Sequence, residues 1–287
     1  DYHGWRLESK KHPELQAAKS FYDQFGDRGG AKFYNVLGHV WTSTIYPRLY
    51  VFRYNDNGAS TGAPKTDFSE VIFTNGCSLA APNLCLQGNS WTNIFRLNGG
   101  THSCSACQIP ARYDGQAISE YPTLTDLIVE NDARFTVDGT LNLGPNVNAT
   151  NRINRLIVRD GGVMTAAGIE GKYGHHQLIA DGGTIEFGPG NQNLRPNDQM
   201  TLGIQVSNGG KIVMNQQNGG QGAYIGYESD KDLVTMGVTN ATYEVKSLSK
   251  AVFYNGRVGF GDALINNAGT LRFGGGMKPV EMTIIDS

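Results

Sequence analysis

A single phrase returns along this chain and constrains its fold more than any other feature: a short β-rich run, then Asn or Asp, then Gly or Ala, then a second β-rich run. It is spelled eight times, as VIFTNGCSLAA at Val71, IFRLNGGTHSC at Ile94, LIVENDARFTVDG at Leu127, LIVRDGGVMTAAG at Leu156, LIADGGTIEFG at Leu178, IQVSNGGKIVM at Ile204, VTNATYEV at Val238 and LINNAGTLRFG at Leu264. With Asn75, Asn98, Asp132, Asp160, Asp181, Asn208, Asn240 and Asn267 as markers, the spacing runs from 21 to 34 residues and averages about 27. The flanking runs alternate apolar and polar residues, as in Thr184-Ile185-Glu186-Phe187, which is the period of a half-buried strand. Asn, Asp and Gly tolerate positive φ where β-branched residues do not, so the same letters return wherever the same turn is required.

Two architectures use such a unit. In an antiparallel sandwich each Asn-Gly is a hairpin tip; in a β-solenoid it is the corner between two faces of one coil, with copies stacked along an axis. Repetition favours the solenoid, whose other corners absorb the uneven spacing. Residues 71–287 are therefore expected to form all-β solenoid repeats, eight coils making a rod about 40 Å long. Apolar ladders are expected inside it. Leu127, Leu156, Leu178, Ile204 and Leu264 precede the turn, and Phe135, Met164, Ile185, Ile212, Tyr243 and Leu271 follow it.

Residues 1–70 read as an N-terminal cap over the exposed sheet edge. Pro13-Glu14 opens ELQAAKSFYDQF, where Leu15, Ala18, Tyr22 and Phe25 recur at helical spacing before Gly26, so a short helix is predicted. FYNVLGHVW and RLYVFRYN follow as aromatic-rich strands, with a loop from Asp56 to Pro64. The chain opens on Asp1 and closes on the strand-like MKPVEMTIIDS, which reads as a segment excised from a longer protein.

Glycine is 38 of 287 residues and charged residues are 17 %, which makes turns frequent, while 12 Phe, 13 Tyr and three Trp supply the apolar surface that disorder lacks. A net charge of −2 leaves no electrostatic footprint for nucleic acid or an anionic membrane, and no apolar run is long enough to insert into a bilayer. The four cysteines fall into two close pairs, Cys77 with Cys85 and Cys104 with Cys107. Local disulfides in an exported protein are the expectation, against free buried thiols and a Cys-x-x-Cys redox motif as alternatives. The stretch from Cys77 through Tyr113 is read as a disulfide-bearing insertion presenting Trp91, His102, Arg112 and Tyr113 as candidate ligand-binding residues. In the alternative, Trp91 and Tyr113 only cover the first coils.

Catalytic and metal readings are weaker. Asp132, Asp160 and Asp181 occupy the turn in successive repeats and stacked carboxylates attract a cation such as calcium, but Asn fills the same place elsewhere, as a turn former does. His175 and His176, beside Tyr173, are expected in a surface loop, and as neighbours on a strand they would point to opposite faces. No catalytic residue, metal or cofactor is assigned. Asn148-Ala149-Thr150 and Asn240-Ala241-Thr242 match the glycosylation sequon.

LIVRDGGVMTAAG, LIADGGTIEFG and LINNAGTLRFG resemble the repeats of Gram-negative surface adhesins of the autotransporter type over roughly residues 124 to 275. That resemblance implies a right-handed parallel β-helix, secretion to the bacterial cell surface, and a non-enzymatic role in virulence. The implied partners are a host glycan or protein, or another copy of the chain in biofilm formation. The alternative function is a carbohydrate-active β-helix enzyme, a polysaccharide lyase or tailspike, and a purely structural spacer is a third.

Overall fold

A computed structural model describes residues 40–42, 47–51, 66–74, 78–86, 90–109, 123–144, 152–171, 174–188, 192–194, 200–215, 223–225, 234–246, 250–253, 256–268, 270–273 and 280–285. Among these residues there are 21 strands and no helix, and every strand pairing is parallel except that of β1 (Val40–Thr42) with β2 (Pro47–Val51). The helix expected near residues 14–25 lies outside the described residues.

The pairings sort into three columns. The first stacks β3 (Thr66–Phe73), β5 (Ser90–Asn98), β7 (Thr123–Glu130), β9 (Arg152–Arg159), β11 (Gly174–Asp181), β14 (Met200–Ser207), the first halves of β17 (Val234–Val245) and β19 (Gly256–Asn267), and β21 (Val280–Ile285). The second passes through the first halves of β6 (Thr101–Ile109), β8 (Arg134–Leu143) and β10 (Val163–Gly171), then β12 (Thr184–Phe187), β15 (Lys211–Met214) and the second halves of β17 and β19. The third begins with β2 and the end of β4 (Ala80–Leu86) and continues through the second halves of β6, β8 and β10. It closes with β13 (Gln192–Leu194), β16 (Ala223–Ile225), β18 (Lys250–Phe253) and β20 (Thr270–Phe273). This is a parallel solenoid, and the sandwich is excluded because adjacent strands run the same way. Strands joined by tight hairpins would run antiparallel.

The corner between the first two columns is the predicted one. Gly99, Asn131, Asp160, Gly182, Asn208, Asn240 and Asp262 follow the last paired residue of successive coils, all with φ between 47° and 73°. Asp160, Asn208 and Asn240 are themselves expected markers; Asn98 and Asp181 stand one residue earlier, because the glycine after each takes the left-handed conformation. Asp132 stands one residue later, and Asn75 lies outside the described residues. The expectation for the last coil is corrected: Thr239 and Ala241 pair with Gly261 and Ala263, so its turn is Asp262 and not Asn267. Turn amides bond to the next coil, as Gly161 N–H does to Gly182 O at 3.0 Å and Gly209 N–H to Asn240 O at 2.6 Å.

Inside, like stacks on like. Phe95, Leu127, Leu156, Leu178, Ile204, Met236 and Val258 form one buried ladder, and Leu97, Val129, Val158, Ala180, Val206 and Val238 a second beside it. Phe135, Met164, Ile185, Ile212 and Tyr243 line the second column as expected. Ile265 continues that row, while Leu264 points outward at 62 % exposure and Leu271 belongs to the third column beside Ala251, so these two expectations fail with the misplaced turn.

β2 and β3 already join the stack ahead of residue 71, and residues 80–86, 90–98 and 101–109 run as coil strands in register with their neighbours.

Candidate functional site

Of the expected loop cluster, only the His102 side chain is described. His102 lies on the inward side of β6, 1 % exposed, its Nδ1 accepting from the Leu79 amide at 3.2 Å and its Nε2 2.8 Å from Gly99 O. Because the Leu79 N–H is a donor, the ring is the neutral tautomer protonated at Nε2. Burial pushes its pKa below the ordinary imidazole value, against the opposing pull of the Gly99 carbonyl. This histidine is a core element. Trp91 is the second residue of β5, but its side chain, Arg112 and Tyr113 lie outside the described residues.

Cys104 and Cys107 also point into the core, where they replace aliphatic residues opposite Val137 and Leu141 across a register shift. Cys104 is a free buried thiol, so the expected Cys104–Cys107 bridge is corrected: the two sulfurs belong to different rows of the inner surface. Cys77 and the Cys85 side chain lie outside the described residues. His175 and His176 occupy strand β11 rather than a loop, on opposite sides as expected. His175 is exposed and 2.7 Å from Thr201 Oγ1, whereas His176 is buried beside Asn154.

The outer surface of the first column divides into two chemically distinct halves. Its first half is a ladder of charges. Arg96 reaches Glu70 at 3.0 Å and Glu130 at 3.0 Å, Arg159 Nε reaches the same Glu130 at 2.8 Å, and Arg155 grips Asp126 through two bonds of 2.7 and 2.6 Å. Burial works against the ionised Glu130, but Arg159 and Arg96 outweigh it and hold the carboxyl below its ordinary value. Arg96 is shared between two acids and Glu130 between two arginines, an arrangement that fastens coil to coil.

The second half is nearly uncharged. Gln177, Ile179, Gly203, Gln205, Ser207, Thr235, Gly237 and Thr239 line a shallow groove of about 410 Å³. Its floor is set by glycines on the outward side of β14 and β17. None has a positive φ, and a Cβ at Gly237 would meet nothing within 4 Å. Gly259 continues the row beside Gly237. These glycines serve neither a turn nor close packing, and glycine weakens a strand interior, so a flat open floor is the property they supply. The amides and hydroxyls around it each both donate and accept hydrogen bonds. Reading the sequence by its turns missed this groove; the available signal was glycine at outward strand positions with no Asn or Asp before it.

Among the described residues no group of three or more His, Cys, Asp or Glu converges as a metal centre, and no helix is long and apolar enough to cross a membrane. The fold thus defines a class, the all-β chain of parallel strands wound into a solenoid. Beyond that class, no protein-family model matches the chain, and no curated protein or solved structure matches it significantly.

Proposed function

We propose that this chain is a non-enzymatic adhesin fragment, exported to the bacterial surface in the manner of autotransporter passengers, and that the groove on its first column binds a glycan of the host surface. The observation that carries this reading is the neutral half of that outer face. A floor of Gly203, Gly237 and Gly259 lets a flat ring approach the backbone, and Gln177, Gln205, Thr235 and Thr239 offer paired donors and acceptors to sugar hydroxyls. The solenoid is assigned the right-handed winding that parallel crossovers favour, with the N-terminal region including a short helix as its cap.

A glycan array probed with the intact chain tests the reading. Binding is expected to one or a few neutral glycans, lost in Gly237→Trp and weakened in Gln205→Ala with thermal midpoints unchanged. Retention of the same array profile by Gly237→Trp would overturn the assignment of the groove. Turnover of a polysaccharide that stops in Asp160→Asn or Asp181→Asn would replace the adhesin with an enzyme. No binding to glycans or host cells would leave a structural spacer.

A further inference from the structure

The inner surface of the first column carries one stretch that is not apolar. Asn93, Thr125, Asn154 and His176 stack in register through four coils, each almost wholly buried, before Leu202 restores the aliphatic row. Arg152 stands at the edge of this stretch. It opens β9 on the inward side, two residues before Asn154 and beside Thr123, and is 7 % exposed. Its Nε is shielded from solvent and has no hydrogen-bond partner. Thr125 Oγ1 and Asn154 Oδ1 share that condition. The three side chains spring from adjacent strands, with the Arg152 and Thr125 backbones about 8 Å apart from the spacing and rise of strands.

Burial draws the Arg152 pKa down to about 10, which still leaves a full positive charge at neutral pH. A buried charge without a counter-charge is costly, and unsatisfied buried donors in a native protein commonly mark an ion or water. Two of the three orphan groups are donors, Arg152 Nε–H and the Thr125 hydroxyl, and the third is an acceptor that a water can join to them.

We propose that this inner corner binds a small monovalent anion, a halide or a short carboxylate, held by Arg152 and the Thr125 hydroxyl with a water bridging to Asn154 Oδ1. The site lies inside the coil, opposite in sense to the outer groove, and does not depend on what the groove binds. Its depth excludes bulky anions.

Thermal unfolding of the intact chain in chloride, formate and gluconate at equal ionic strength tests it. The midpoint is expected to rise in chloride or formate by about 3 °C for each tenfold increase above the dissociation constant, and to stay level in gluconate. The larger of the two responses identifies the anion as halide or carboxylate. Arg152→Met is expected to abolish the difference among salts. Equal midpoints in all three salts for the unaltered chain, or the same salt preference in Arg152→Met, would overturn the proposal. Should Arg152→Met fail to fold, chloride-35 relaxation decides. Line broadening by the unaltered chain, reduced several-fold in Thr125→Val, supports the site, and absence of broadening together with no formate response refutes it.

Discussion

Glycines do opposite work at two places in the stack. At Gly210, just past the left-handed corner, a Cβ would stand 2.1 Å from the Ala180 carbonyl oxygen, and only Gly or Ala occupies the aligned places at Gly162, Gly183 and Ala241. Gly210→Ala is expected to cost about 1–3 kcal/mol in urea unfolding, as overpacking does. Gly237→Val, outward and uncrowded, is expected to leave the urea midpoint level or raise it while filling the groove. His102 gives a second test at this scale. Its folded pKa lies below the unfolded value of about 6.5, so its stabilisation is whole above that pH and drains away as pH falls toward the folded value. Denaturant midpoints should begin to decline below about pH 6.5, and His102→Gln should flatten that decline. The sequence made the corner legible because Asn, Asp and Gly share one conformational tolerance. For the same reason it left the register ambiguous by a residue: in Asn98-Gly99 and Asp181-Gly182 either letter is able to take the left-handed place, and the glycine does.

Strand-to-strand fastening is the concern at the next scale. Glu70, Arg96, Glu130 and Arg159 alternate in sign across β3, β5, β7 and β9, and Glu130 receives both arginines as well as Asn98 Nδ2. Since the partner arginines are partly solvated, Glu130→Gln is expected to cost only about 1–2 kcal/mol. Glu244, whose carboxyl Lys211 and Lys246 hold below its ordinary value, plays the equivalent part on the second column. Both folded carboxyl values are depressed, so this stability is complete above the ordinary carboxylate value of 4.5 and disappears as pH drops through the folded ones. Unfolding curves at pH 7, 5, 4 and 3 should show that loss, and Glu130→Gln combined with Glu244→Gln should lessen it. Period-two alternation disclosed the strands and most of the inner ladders. It did not disclose the third column, whose strands β13 and β16 are three residues long and carry no marker, nor the inward placing of Cys104 and His102, since polar and sulfur side chains give no sign of facing inward.

For the molecule as a whole, stacking makes each coil depend on its neighbours, so protection should grade along the axis. Amide hydrogen exchange is expected to be slowest in β7 to β12, where both neighbours are present, and fastest toward β21, where Met282 and Ile284 are exposed, the latter at 73 %. Uniform exchange from end to end would contradict that gradient. Connection lengths point to something further. From β5 onward the left-handed corner is crossed by at most three residues, whereas the return from the third column to the first takes from two residues, 172–173, to fourteen, 52–65. One margin of the molecule is thus a fixed spine that keeps count, and the opposite margin is where segments change size without disturbing the pairing of anything above or below. A lineage built on this plan is free to lengthen that margin into new contact loops, and an engineer is free to splice there, provided the spine is left alone.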